Sequence, residues 1–351
     1  MTDTDLVRDR FARARAAARA VDVDVLILGR SDNVRYLTGA SQLWTAGSRP
    51  FGAVATLVVA TGDIYMLSTW EEGMTDLVPF EHLHGISWNP SIVANRLAAI
   101  DGLAEADRIG VDGLSPGFSR LLTTIAPDAE IVAADHCLQG ARRVKLPAEV
   151  DAIQRACTVA GDVLAAVRAA VGSGRTEHEL TAVALSAASR IGRIQPAAVP
   201  TVHATSTTHY ERPQGSRSRT IDAGALVRID VAFLVDGYEG GLGRTVAVDL
   251  AGPTINGLEE QLDAHQQQLL QRCRSGASGR DLADGTPVHW QIRGLGMGFE
   301  APIIDHRTGH HTLLEAGMVL SVESAVFLES FGTMSRRDVV VVRDGEPDVL
   351  T

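Results

Sequence analysis

The chain has 351 residues and a formal net charge of −11. An acidic balance of that size, with its basic residues dispersed, excludes the continuous basic face that nucleic-acid binding requires. Cys137, Cys157 and Cys273 lie far apart, which fits reduced thiols in a cytoplasmic protein and not a disulfide framework. No apolar run reaches the roughly 18 residues of a membrane span, and the N-terminal stretch lacks the apolar core of a signal peptide.

In chain order, the pattern predicts an amphipathic helix over Leu6–Val21 and a strand over Val23–Leu28. Ser31, Asp32 and Asn33 are residue types that cap a short helical turn, Val34–Leu37. Strands are predicted at Gly52–Ala60, Asp63–Leu67, Arg108–Val111 and Glu130–Ala133, with helices at Ser91–Leu103 and Gly117–Ile125. That alternation defines an α/β domain. Arg142–Glu149 reads as a junction in which Pro147 opens a helix, because the first helical position needs no N–H. The helix runs over Glu149–Val171, and Thr176 with Glu179 forms the capping box of the next one. His178, in that first turn, is a solvated side chain.

Two apolar runs, Ala225–Val235 and Arg244–Leu250, flank Asp236-Gly237, a dipeptide suited to the positive φ of a tight turn. Asp230 lies inside the first run. A carboxylate there needs a metal, a cation or hydrogen-bond donors beside it, since an unpaired buried charge is costly. A purely structural ion pair is the alternative to a functional site.

Leu226-Val227-Arg228-Ile229-Asp230, followed by Gly237-Tyr238 and Arg244-Thr245, resembles the metal-binding hairpin of the pita-bread family. That family includes methionine aminopeptidase, aminopeptidase P, prolidase and creatinase. The run Asn33-Val34-Arg35-Tyr36-Leu37-Thr38-Gly39 is likewise similar to the start of the creatinase-like N-terminal domain. The resemblance implies a creatinase-like α/β domain over residues 1–143 and an α+β pita-bread catalytic domain over residues 144–351.

In the peptidases of this family five side chains hold two metal ions. The resemblance places Asp230 and Glu323 at two of those positions, and Gly241, Arg293 and Arg337 at the other three, with Arg336 the alternative to Arg337. Glycine offers no ligand and arginine no lone pair. Two carboxylates balanced by two guanidinium groups lead to the expectation of a site without metal or other cofactor. His209, like the histidine ahead of the hairpin in aminopeptidase P and creatinase, is expected to move protons. His203 is a rival ranked lower, because strand alternation could bury it. His289 keeps a substrate-orienting position, and Tyr210 and Glu239 are further candidate contacts. By resemblance to creatinase, Trp44 and Arg49 would complete the site from the neighbouring subunit's N-terminal domain, so a homodimer is expected. Gly243 stands where creatinase carries the glutamate that binds creatine, so creatine is not the expected substrate. Asp305-His306 and His310-His311 read as surface loop residues, and Gly294–Gly298 lacks the context of a nucleotide loop.

The resulting expectation is a cytoplasmic, metal-independent, creatinase-like hydrolase. It would cleave a C–N bond in a small polar molecule, with no nucleic-acid or membrane partner. His209 would serve as acid and base, Glu323 would orient or accept a proton, and Arg293 with Arg337 would hold a substrate carboxylate or the developing negative charge. A metal-free lyase or isomerase is one alternative, and an inactive peptidase-like binding module another. An Xaa-Pro peptidase is the least expected reading.

Overall fold

The structure is a computed structural model that describes residues 3–40, 54–67, 75–85, 87, 89–113, 115–192, 194–205, 218–249, 253–282, 288–328 and 332–351. It divides into two compact units, Met1–Arg142 and Arg143–Thr351. Among the described residues no helix is long and apolar enough to cross a membrane.

The first unit runs α1 (Asp3–Ala20), β1 (Val25–Leu28), α2 (Ser31–Thr38), β2 (Ala55–Val58), β3 (Ile64–Leu67), β4 (Leu83–His84), α3 (Pro90–Ala98), β5 (Arg108–Asp112), α4 (Pro116–Ile125), β6 (Glu130–Ala133) and α5 (Asp135–Arg143). Its sheet has the order β4-β3-β2-β1-β5-β6, with β1, β5 and β6 parallel. The continuously apolar β1 sits in the middle and is buried on both faces, as a central parallel strand should be.

Ser31, Asp32 and Asn33 do not precede a helix as caps. They form the first turn of α2, whose N-cap is Arg30 without a side-chain cap. The polar side chains have stronger partners elsewhere. Arg142 donates through Nη1 to Asp32 Oδ2 at 2.7 Å and to Asn33 Oδ1 at 2.6 Å. Asn33 Nδ2 in turn donates to Asp112 Oδ2 at 2.6 Å, and Asp112 Oδ1 accepts the Gly29 and Arg30 N–H groups at 2.5 and 3.1 Å. Burial pushes the Asp112 carboxyl up, more than these hydrogen bonds pull it down. For Asp32 burial acts in the same direction, but Arg142 and Arg30 together outweigh it and hold the carboxyl below its ordinary value of 3.8. A depressed native value stabilises the fold above the unfolded pKa, and that gain is lost as pH falls through the native one. Asp32→Asn should therefore cost about 2 kcal/mol near pH 7. The cost should shrink as pH drops below about 4. Urea unfolding of both proteins across that range checks it, and a difference independent of pH would contradict the assignment.

The second unit runs α6 (Pro147–Ala170), α7 (Glu177–Ile191), β7 (Gln195–Pro196), β8 (Thr201–Ala204), β9 (Leu226–Val235), β10 (Tyr238–Ala247), α8 (Pro253–Arg272), α9 (Gly279–Leu282), β11 (His289–Leu295), β12 (Phe299–Asp305), β13 (Val319–Leu328), β14 (Gly332–Val341) and β15 (Asp348–Val349). Pro147 opens α6, and the Thr176–Glu179 capping box opens α7. The sheet has the order β12-β11-β13-β14-β10-β9-β7, with β8 beside β9 and β15 beside β14. Strand alternation sorts its side chains into two faces. Val227, Ile229, Val231 and Phe233 of β9 and Leu242 of β10 pack with α6 and α7 in one core, and Trp290, Ile292, Leu320 and Val322 pack in another with Leu269 and Leu270 of α8. The residues between them, Asp230, Gly241, Gly243, Arg293, Glu323 and Arg337, share the opposite face.

Candidate active site: an array of acids and arginines

The site is built on the β9–β10 hairpin. Asp236 and Gly237 at its tip have φ of 51° and 84°, the pair of positive values a two-residue turn needs, and Val235 faces Tyr238 across it. The second strand is longer than its apolar run suggests. It takes in the glycine-rich stretch from Tyr238 onward, because α6 holds it: Tyr238 Oη donates to Glu149 Oε1 at 2.7 Å. A Cβ on Gly240 would come within 2.4 Å of the Cys157 nitrogen, so only glycine lets the α6 backbone approach this closely.

The pairing register aligns Asp230 with Gly243, Gly243 with Arg337, Arg337 with Glu323 and Glu323 with Gln291 across β9, β10, β14, β13 and β11. Arg337 reaches sideways over the glycines. Its Nη2 donates to Asp230 Oδ1 at 2.6 Å and to the Val231 carbonyl at 3.0 Å. A Cβ at position 241 would meet that same Nη2 at 2.8 Å, and one at 243 would meet the Arg337 Cβ and Asp230 Oδ2 at 3.2 Å. The two missing side chains are the corridor through which the guanidinium passes.

Two more pairs flank this one. Arg293 Nη2 donates to Glu239 Oε1 at 2.5 Å, and Arg337 Nη1 lies 3.9 Å from the same oxygen. Arg228 Nη2 donates to Glu323 Oε1 at 2.8 Å and lies 3.8 Å from Asp230 Oδ2. Three acids and three arginines thus interleave on one face with no net formal charge. The expected balance of Asp230 and Glu323 against Arg293 and Arg337 is corrected in two respects. Glu323 is paired by Arg228, a residue the sequence analysis did not single out. Arg293 is taken by Glu239, which therefore pairs with an arginine of this chain. Arg228 could have been found, since two residues before Asp230 on a strand is the same face.

Arg336 points the other way. It pairs with Glu259 at 2.7 Å and Asp263 at 2.5 Å on α8, which makes Arg337 the arginine that faces Asp230. His289 is exposed at the start of β11, opposite Ala325 and edge-on to His306 at 5.5 Å between ring centroids. His203 is buried, with Nδ1 3.6 Å from Glu177 Oε1. Glu300 forms a buried pair with Lys145 at 2.8 Å and accepts the Met297 N–H. The same loop fixes Glu239, whose N–H donates to the Gly296 carbonyl at 2.7 Å. Asp305 turns back on the Arg307 and Thr308 N–H groups, a local loop cap and not part of a histidine site. His209, Tyr210, Trp44 and Arg49 lie outside the described residues.

This geometry sits in a recognisable family. Residues 151–344 match metallopeptidase family M24, and residues 10–144 match the creatinase/prolidase N-terminal domain. The chain belongs to metallopeptidase family M24, with the two-domain, creatinase-like plus pita-bread architecture of that group. It is 23% identical over 347 residues to the Xaa-Pro dipeptidase of Pyrococcus horikoshii, covering 94% of this chain and 93% of that one. The fold is similar to the crystal structure of the prolidase from Pyrococcus horikoshii, with a TM-score of 0.78 at 18% identity and 98% of each chain covered. It is also similar to the dipeptidase PepE of Mycobacterium ulcerans, with a TM-score of 0.76 at 23% identity, covering 100% of this chain and 96% of that one. These findings overturn the expectation of a metal-independent hydrolase acting on a non-peptide C–N bond. The family is one of metallopeptidases, and its similar members are named for the Xaa-Pro dipeptides that the sequence analysis ranked last.

The divalent ions that the family implies can be tested against the donors present. Such ions need convergent carboxylates and imidazoles. Among the described residues no group of three or more His, Cys, Asp or Glu could hold one. Position 241 has no side chain, and the place beside Asp230 is filled by a guanidinium that would repel a cation. The described donor set does not fit the ions.

Removing Arg337 should leave Asp230, about one-quarter exposed, without its short partner. Arg337→Met should cost about 2 kcal/mol, less than a fully buried pair because water can reach the acid. A double-mutant cycle with Asp230→Asn, read by denaturant unfolding, should show coupling of about 1 kcal/mol or more. Additive costs would place the two side chains apart.

Proposed function

We propose that the chain is a peptidase-class hydrolase of short peptides, with Xaa-Pro dipeptides the first class to test. Membership of family M24 and similarity to Xaa-Pro dipeptidases support the reaction class. The observation that carries the ligand class is the interleaved array of Asp230, Glu239 and Glu323 with Arg228, Arg293 and Arg337. A free dipeptide brings one ammonium and one carboxylate. It can exchange each end into an array of matched pairs without leaving a buried charge uncompensated, whereas a ligand of single charge leaves one orphan. In this scheme the array binds and orients the two peptide ends, and the edge acids Asp230 and Glu323 hold the ammonium.

A panel of free dipeptides, their N-acetyl forms and their C-terminal amides tests this, assayed after chelation and again with added manganese or cobalt. Hydrolysis of free dipeptides is expected, fastest for the Xaa-Pro class and at least about tenfold slower once either terminal charge is removed. Failure to hydrolyse any dipeptide under either condition would sink the proposal.

A further inference from the structure

The arginines of the array are not equally available. Arg337 is about 10% exposed and committed to Asp230 and a backbone carbonyl, and Arg293 is 16% exposed and held by Glu239 at 2.5 Å. Arg228 is 29% exposed, and its partner Glu323 is 32% exposed. This is the least buried of the three pairs, so turning Glu323 into water costs less than breaking either of the others. The deeper pairs cannot exchange as cheaply, because each would leave a desolvated charge behind. Arg293 and Arg337, the two arginines expected to hold a substrate carboxylate, are therefore those least free to take one.

We infer that Arg228 is the carboxylate anchor of this site, and that it takes the C-terminal carboxylate of a bound peptide by exchanging Glu323 for it. The inference rests on the peptide reading above and names the residue that sets its specificity. The exchange is between like groups: one carboxylate leaves the guanidinium fork, another enters, and no proton moves. Glu323, set free, stays on the same face as Asp230, which lies 3.8 Å from the same Arg228 nitrogen. Two acids beside one anchored carboxylate give the peptide's ammonium its place and fix the direction in which the chain lies. Arg228 is a specificity-determining residue in this scheme, and Glu323 a gate on it.

Calorimetric binding of a non-hydrolysable ketomethylene analogue of alanyl-proline, in its free-acid and C-terminal amide forms, tests the exchange on the full chain. Wild type should prefer the acid by at least about tenfold. Arg228→Met should abolish that preference by weakening the acid form at least about tenfold more than the amide form, and Arg228→Lys, which keeps the charge but not the fork, should retain part of it. Glu323→Gln should widen the preference for the acid form, because the competing carboxylate is gone while the lost ammonium contact weakens both forms alike. A merely structural Arg228 would weaken both ligands alike, and Glu323→Gln would then leave the preference as it is. Should Arg228→Met fail to fold, the Arg228→Lys and Glu323→Gln shifts decide the matter. Unchanged preference in Arg228→Met, or equal binding of acid and amide by wild type, overturns the anchor and leaves the peptide reading standing. Binding of neither form by wild type overturns both.

Discussion

The site depends on one reach, that of Arg337 across two glycines to Asp230. A carboxylate in the strand Leu226–Val235, whose other face is wholly apolar, needs a counter-charge, and here the counter-charge comes from the same sheet. A Cβ at Gly241 would meet both the Arg337 guanidinium and the Val231 carbonyl at 2.8 Å. Any side chain at 241 would occupy the space of the guanidinium, so the glycine and the arginine are two halves of one arrangement. The neighbouring pairs follow from it. With Asp230 satisfied from one side, Arg228 is left to Glu323, and Glu239 at the hairpin tip is left to Arg293.

The opposite face of the same strands shows what alternation does with similar residues. Arg244 pairs with Asp338 at 2.5 Å, Gln266 donates to Asp338 and to the Val322 carbonyl, and Ser324 donates to Gln266 at 2.6 Å. These groups tie α8 to β13 and β14, with Gln266, Ser324 and Asp338 buried and Arg244 partly exposed. One residue of strand register therefore separates a structural network from the candidate site. Arg336 and Arg337 are adjacent in sequence yet serve opposite faces.

Much of this was legible beforehand. The Asp236-Gly237 turn, the half-buried Asp230, the capping box at Thr176 and the helix opened by Pro147 are local signals, and local signals survive folding. The residue types at positions 241, 293 and 337 were likewise plain, but their placing at ligand positions came from the family resemblance. Which arginine faces Asp230 could not, because a slip of one residue in a strand flips the side chain and the segment before β14 has no internal marker of register. Partner choice was equally hidden. Arg293 meets Glu239 only because the loop at Gly296 holds the tip of β10 nearby, a contact between segments more than fifty residues apart. The caps expected at Ser31–Asn33 failed for a related reason: long-range partners on Arg142 and Asp112 outbid the helix N-terminus. Function shows the same limit. Residue type at the ligand positions argued against a peptidase, whereas similarity along the whole chain argued for one.

An experimental crystal structure of the full chain, grown in parallel with and without manganese, tests the account most directly. It should show Arg337 on Asp230, Arg293 on Glu239 and Arg228 on Glu323 in both crystals. Either arginine of the first two pairs swung out to solvent, leaving its acid facing an ion or water, would contradict it.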